Sequence, residues 1–209
     1  MPRSRFIQVF VLLLAVAAAG RTAHAQDYAL TVYGGYRDGG SFRDVSSDQT
    51  LDIQGSGAFA ISLDLPLDSR HQAQVFVSRQ RSELGIEQTA AAPAVGNQLP
   101  LTVTYVHVGG TYFFNGPIGK GPYAAGGLGI TVFELDLSGS EAEVRPSLNL
   151  GFGYQALLGE RVALRFEARW YVTLVDSSGG LFCSGGCVAS IKGDAVTQGE
   201  ALIGLSFRF

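Results

Sequence analysis

The final ten residues, Glu200 to Phe209, alternate apolar with polar or small side chains. Ala201, Ile203, Leu205, Phe207 and Phe209 occupy every second position, Gly204, Ser206 and Arg208 lie between them, and only Leu202 departs from the pattern. A helix would scatter these groups around its axis. A strand, with a period of two, puts five apolar groups on one face and leaves a polar face behind it. Such a tail must pair with another strand, and something apolar must cover its apolar face.

The same period recurs along the chain in eight segments: 28–37, 53–65, 71–83, 101–114, 122–136, 144–157, 162–175 and 200–209. In the seventh, Val162, Leu164, Phe166, Ala168, Trp170, Val172 and Leu174 share one face, and Ala163, Arg165, Glu167, Arg169, Tyr171 and Thr173 share the other. The fourth and fifth contain Gly109-Gly110 and Gly126-Gly127-Leu-Gly129. Glycine weakens a strand unless the sheet must bend, so these read as curvature devices in the wall of a narrow barrel. The connections 66–70, 115–121 and 158–161 are short, those at 38–52, 84–100 and 176–199 are long, and the one at 137–143 is intermediate. Short turns at one end and long loops at the other predict an all-β fold, an eight-stranded antiparallel up-and-down transmembrane β-barrel with both termini on the turn side.

The opposite end of the chain supports export. Met1 to Arg5 is basic, Phe6 to Gly20 is apolar apart from Gln8, and Ala23-His-Ala25 is a small-x-small cleavage site. Residues 1–25 read as a cleaved signal peptide, too short to serve as a spanning helix, and 26–209 as the barrel domain. Losing Arg3, Arg5 and Arg21 from 15 basic residues leaves 12 against 18 acidic ones, a net charge near −6. A nucleic-acid partner is not expected, because no basic cluster is available to neutralise phosphates. After residue 25 no apolar run is long enough for a spanning helix, so insertion must use strands.

Alternation alone does not say whether the apolar face meets lipid or a core, and a secreted lipocalin-like barrel has the same period. Three features favour lipid. The polar face is sparsely charged and rich in Gly, Ser, Thr, Asn and Gln. Aromatic residues lie near strand ends, at Tyr28, Tyr36, Tyr112, Phe114, Trp170, Tyr171, Phe207 and Phe209, where an interfacial girdle would place them. The chain finishes on a strand, with no covering helix.

Few motifs suggest chemistry. Cys183 and Cys187 flank Ser-Gly-Gly and predict a small disulfide loop in an oxidising compartment; two thiols without a nearby histidine are too few for zinc. Gly151-Phe-Gly-Tyr-Gln-Ala156 matches a dinucleotide fingerprint in letters, but strand alternation runs straight through it. His71 and His107 are the histidines after residue 25, and neither has a serine two residues on. Arg145, Arg165, Glu167 and Arg169 fall on inward faces and predict an interior charge network, with Asp64 and Arg208 as further members. No catalytic residue, metal ligand or cofactor is expected, and eight strands leave little room for an open pore.

The tail ending at Phe209, with Phe207, Leu205 and Ile203, resembles the C-terminal signature of bacterial outer-membrane barrels, whose terminal aromatic is read by the assembly machinery. Tyr105-Val-His-Val-Gly-Gly-Thr-Tyr-Phe-Phe114, followed by Pro122-Tyr-Ala-Ala-Gly-Gly-Leu-Gly-Ile-Thr131, resembles the small outer-membrane barrel superfamily: the OmpA membrane domain, OmpX-like and OmpW-like proteins. The resemblance implies a monomeric, non-enzymatic protein of the outer membrane, in contact with its lipid and lipopolysaccharide, serving envelope integrity or surface interactions. OmpW-like members imply an alternative, a narrow conduit for small hydrophobic solutes. Outer-membrane lipid A deacylases imply another, a lipid-modifying hydrolase built on His107.

Overall fold

The computed structural model describes residues 28–43, 50–86, 98–135, 142–175, 180–183, 187–190 and 195–209. The segment expected to be a signal peptide lies outside them. Eight long strands form the body: β1 (Ala29–Asp38), β2 (Ser56–Pro66), β3 (His71–Ile86), β4 (Gln98–Phe113), β5 (Gly121–Leu135), β6 (Glu143–Leu157), β7 (Val162–Leu174) and β8 (Ala195–Arg208). Each pairs antiparallel with its sequence neighbours, and β8 pairs with β1, so the sheet closes on itself as an eight-stranded barrel. Among the described residues there is no helix.

Closure is made where the tail meets the first strand. Ala29 lies opposite Arg208, the Phe209 amide donates to the Tyr28 carbonyl at 3.0 Å, and the Tyr28 and Phe209 rings sit 6.3 Å apart. Following the registers from Asp38 through Gly199, Trp170, Leu150, Gly126, Gly110, Ala73 and Leu65 returns the path beside residue 28, ten residues from its start. That stagger tilts the strands by roughly 40° and leaves an interior wide enough for side chains.

Strand bounds extend some expectations. β3 and β4 continue beyond 83 and before 101, and β8 starts at Ala195, so part of the expected loops is ladder. The second expected strand starts at Ser56 and not at 53, and the stretch before it holds the short strands Ser41–Arg43 and Thr50–Ile53, the second paired with the end of β3. The last long connection holds the hairpin Gly180–Cys183 with Cys187–Ser190. Extending the ladder satisfies backbone groups that loops would leave to water.

At the turn end, Gly116, Gly119 and Gly121 carry positive φ angles of 135°, 115° and 105°, which lets the β4–β5 connection fold back tightly. Inside the strands, several glycines make room as well as curvature. A Cβ on Gly204 would stand 2.4 Å from the Tyr33 ring, its cross-strand neighbour, and one on Gly153 would stand 2.5 Å from Tyr123. At Gly109 and Gly129 it would meet the backbone of the adjacent strand at 1.9 Å, the close approach a tightly coiled wall requires.

Sidedness is uniform. Phe59, Val108, Leu128, Leu150, Phe166, Trp170, Ile203 and Phe207 are exposed on the outer surface. Arg37, Asp64, His107, Arg165, Glu167, Arg169, Gln198 and Glu200 are buried within. Tyr171, grouped above with the rim aromatics, is fully buried and points inward with the odd-numbered face of β7, and Leu202, the misfit of the tail, also packs inside.

Candidate functional site

The buried titratable and polar side chains converge in the barrel interior, in layers stacked from the turn end to the loop end. At the turn end, Phe113, Tyr123 and Ala125 pack with Ile118 as an apolar floor. Above it, Arg165 reaches across the lumen: its Nη1 donates to Asp64 Oδ2 at 2.8 Å and to the Tyr33 hydroxyl at 3.1 Å, and its Nε to Gln155 Oε1 at 2.6 Å. Ser62 and Gln74 donate to the same carboxylate at 3.0 and 2.7 Å. Two charges this deep persist only when the remaining lone pairs and N–H groups are also engaged, and here they are.

The next layer joins Glu167 to Arg169 at 2.6 Å on the same face of β7, with Tyr123 donating to the other carboxylate oxygen at 2.7 Å. Arg169 also donates to Asn149 and Gln74, both at 3.0 Å, and its guanidinium lies 3.7 Å from the centre of the Phe76 ring. A third layer centres on Glu200, which accepts from Arg37 at 3.0 Å, from Ser78 at 2.8 Å, and from the Tyr171 hydroxyl. Tyr105 and Tyr171 stack at 4.0 Å beneath the Arg37 guanidinium. Beyond them, Ile53, Leu99, Leu101, Val103, Phe133 and Val196 form an apolar layer toward the loop end.

Arg165, Glu167 and Arg169 thus lie in two adjoining layers. Arg145 faces inward but is not brought to them: it pairs with Glu143 on its own strand, at the loop end of β6. Asp64 is a full member of the network, whereas Arg208 reaches the Glu160 carbonyl at the turn end at 2.7 Å. Phe209, Phe207, Leu205 and Ile203 stand on the outward face of the closing strand. Cys183 and Cys187 are opposed in backbone register in the outer hairpin, and their side chains lie outside the described set.

Arg37, Glu200 and Ser147 also belong to the interior site, and no local sequence pattern marks them. His107 Nε2 lies 3.0 Å from Ser147 Oγ, forty residues along the chain, so no local motif could reveal the pair. Among the described residues His107 Nδ1 has no hydrogen-bond partner, and the ring is stacked near Tyr105 and Tyr171. A nucleophile–base pair needs an orienting group on the second ring nitrogen and access for substrate. Among the described residues no side chain engages the second ring nitrogen, and His107 and Ser147 are both buried. At the turn end, His71 Nδ1 is 2.7 Å from Asp68 Oδ2, and the Arg70 and His71 amides also donate to Asp68, holding its carboxyl below the usual value. No group of three or more metal-ligating side chains occurs among the described residues.

No protein-family profile and no curated protein matches the sequence. Solved structures do match in shape. The Neisserial surface protein NspA superposes with a TM-score of 0.57 at 15% identity, covering 90% of this chain and all of NspA. The outer-membrane protein AlkL, determined in lipid bilayers, superposes with a TM-score of 0.55 at 14% identity over 91% of this chain and 94% of AlkL. With the closed eight-strand topology, the inside-out distribution of polarity and these two likenesses together, the chain has the fold of the small outer-membrane β-barrels.

Proposed function

We propose that the protein is a non-catalytic integral outer-membrane β-barrel, exported through a cleaved signal peptide, whose lumen is closed and whose outer loops and rim meet its partners. One observation carries this reading: the polarity is inverted. Leu128 is 72% exposed, Phe59 58% and Ile203 51%, while Arg37, Arg165 and Arg169 are at most 1% exposed. A water-soluble barrel would put its apolar face inside; a hydrocarbon environment rewards the reverse.

The layered interior supports a structural role over transport. Ion pairs and stacked tyrosines fill the cross-section at three heights, with apolar layers on both sides. A solute conduit would require those layers to part. The hydrolase alternative has His107 and Ser147, but their inward burial separates them from any lipid substrate. A Cys183–Cys187 disulfide suits the opposed register and would stiffen the outer hairpin. With its edges paired, the barrel needs no second copy to protect them.

Cell fractionation with gel mobility measured before and after heating tests the reading. The protein is expected in the outer-membrane fraction, migrating as a compact species that shifts on boiling. A protein released in soluble form from the periplasm overturns it. In a planar bilayer the purified barrel is expected to stay silent; reproducible unitary conductance would favour the conduit instead.

A further inference from the structure

On the eight barrel strands the outward face is apolar or small almost everywhere. It changes character in one patch. Along β3 the outward positions run Ala73, Val75 and Val77, then Arg79, Arg81 and Glu83 toward the loop end. On β4, Thr104 and Thr102 lie directly opposite the two arginines, and Glu134 of β5 lies opposite Thr102. Among the described residues, the other outward Asp, Glu, His, Lys or Arg side chains of the eight barrel strands are Asp38 and His71, at the ends of their strands.

The two arginines are not consumed by internal pairing. Arg79 Nη2 stands 3.8 Å from Glu134 Oε2, beyond hydrogen-bond reach, with both side chains about half exposed (53% and 49%). The Arg81 side chain makes no hydrogen bond or ion pair among the described residues. A shallow groove lined by Arg79, Arg81, Pro100, Thr102 and Glu134 runs beside them. A guanidinium presents five N–H groups in a planar fork, and one held at the edge of hydrocarbon buries its stem and directs that fork to the headgroups. The matching acceptor there is a phosphate, which such a fork takes bidentately. The threonine hydroxyls between the strands add neutral donors at the same rim, and Glu83 and Glu134 bound the patch, so an occupant must place its charge between them.

We propose that Arg79 and Arg81 form a site for a phosphate of an anionic lipid in the membrane leaflet at the loop end, lipid A being the chemistry that fits, with Thr102 and Thr104 as hydroxyl partners. This rests on the membrane reading above. The site would anchor the loop end in its leaflet and fix the depth of the barrel from one side.

The test titrates the detergent-solubilised barrel with bisphosphorylated lipid A and counts bound lipid by native mass spectrometry. Arg79→Gln/Arg81→Gln is expected to reduce lipid A affinity at least tenfold, and Arg161→Gln, at the turn end, to leave it unchanged. Dephosphorylated lipid A should bind wild type no better than bisphosphorylated lipid A binds the double variant, and inorganic phosphate at matched concentration should not compete. Equal lipid A affinity in wild type and double variant overturns the proposal, and so does full competition by inorganic phosphate, which would make it a free-anion site. Heat-shifted mobility of the same samples shows that each barrel is folded. Should the double glutamine variant fail to fold, Arg79→Lys/Arg81→Lys, which keeps charge and loses the fork, is expected to bind several-fold more weakly; unchanged binding overturns the proposal. Wild type that never inserts into vesicles would overturn the membrane reading, whereas insertion with unaltered lipid A affinity in the variants overturns the site alone.

Discussion

Arg165 on β7 and Asp64 on β2 meet inside the barrel at 2.8 Å, with their side chains 1% and 0% exposed, although 101 residues separate them in sequence. Between them they engage Tyr33, Gln155, Ser62 and Gln74, so residues of five strands depend on one ion pair.

Removing either partner alone leaves an uncompensated charge in a medium that cannot solvate it. Arg165→Met is expected to lower unfolding stability by about 3–5 kcal/mol, and Asp64→Leu by a similar amount. The double variant should recover much of that loss, because neither charge then remains. Urea unfolding of the four proteins in vesicles measures this; additive losses in the double variant would mean that the two side chains do not act as a pair.

Gly204 faces inward with the Tyr33 ring over it, leaving no space for a side chain. Gly204→Ala forces the ring off its site and disturbs its contact with Arg165, costing about 1–3 kcal/mol. Gly57, which has open space where a Cβ would go, is the control, and Gly57→Ala should cost far less. Equal effects would show that strand propensity, rather than ring packing, selects the inward glycine.

The turn between β2 and β3 carries a pH signature. Asp68 accepts the Arg70 and His71 amides at 2.7 and 2.9 Å and faces the His71 ring, which together lower its pKa from the usual 3.8. A folded-state value below the unfolded one adds stability that is fully present above pH 3.8 and disappears as acid drives pH down through the folded value. Wild type should therefore exceed Asp68→Asn in unfolding midpoint at pH 7 and lose that margin in acid. A margin independent of pH would assign the effect to turn geometry and not to the carboxylate.

Where a feature repeats at a two-residue period the sequence displays it directly. β7 needed no partner to be read as a strand, because seven apolar side chains alternate with six of the other face, and the tail likewise displayed which of its residues share a face. The interior pairs were opaque for a different reason. Register is a relation between strands, so nothing near Arg37 points to Glu200, 163 residues away, and nothing near His107 points to Ser147. Arg145 shows the limit from the other side: its face was readable, but its height in the barrel, which gives it Glu143 instead of Asp64, depends on strand stagger. Tyr171 shows that an aromatic near a strand end can belong to the lumen, where its hydroxyl serves Glu200.

The central claim is that the apolar outer face touches hydrocarbon, and the protein's single tryptophan reports on it. Trp170 lies on the outward face of β7, 48% exposed, flanked along the strand by inward Arg169 and Tyr171. With the refolded barrel in vesicles, its fluorescence should be strongly quenched by phospholipids brominated on their acyl chains and barely affected by aqueous iodide. Quenching by iodide with no response to brominated lipid would contradict the account.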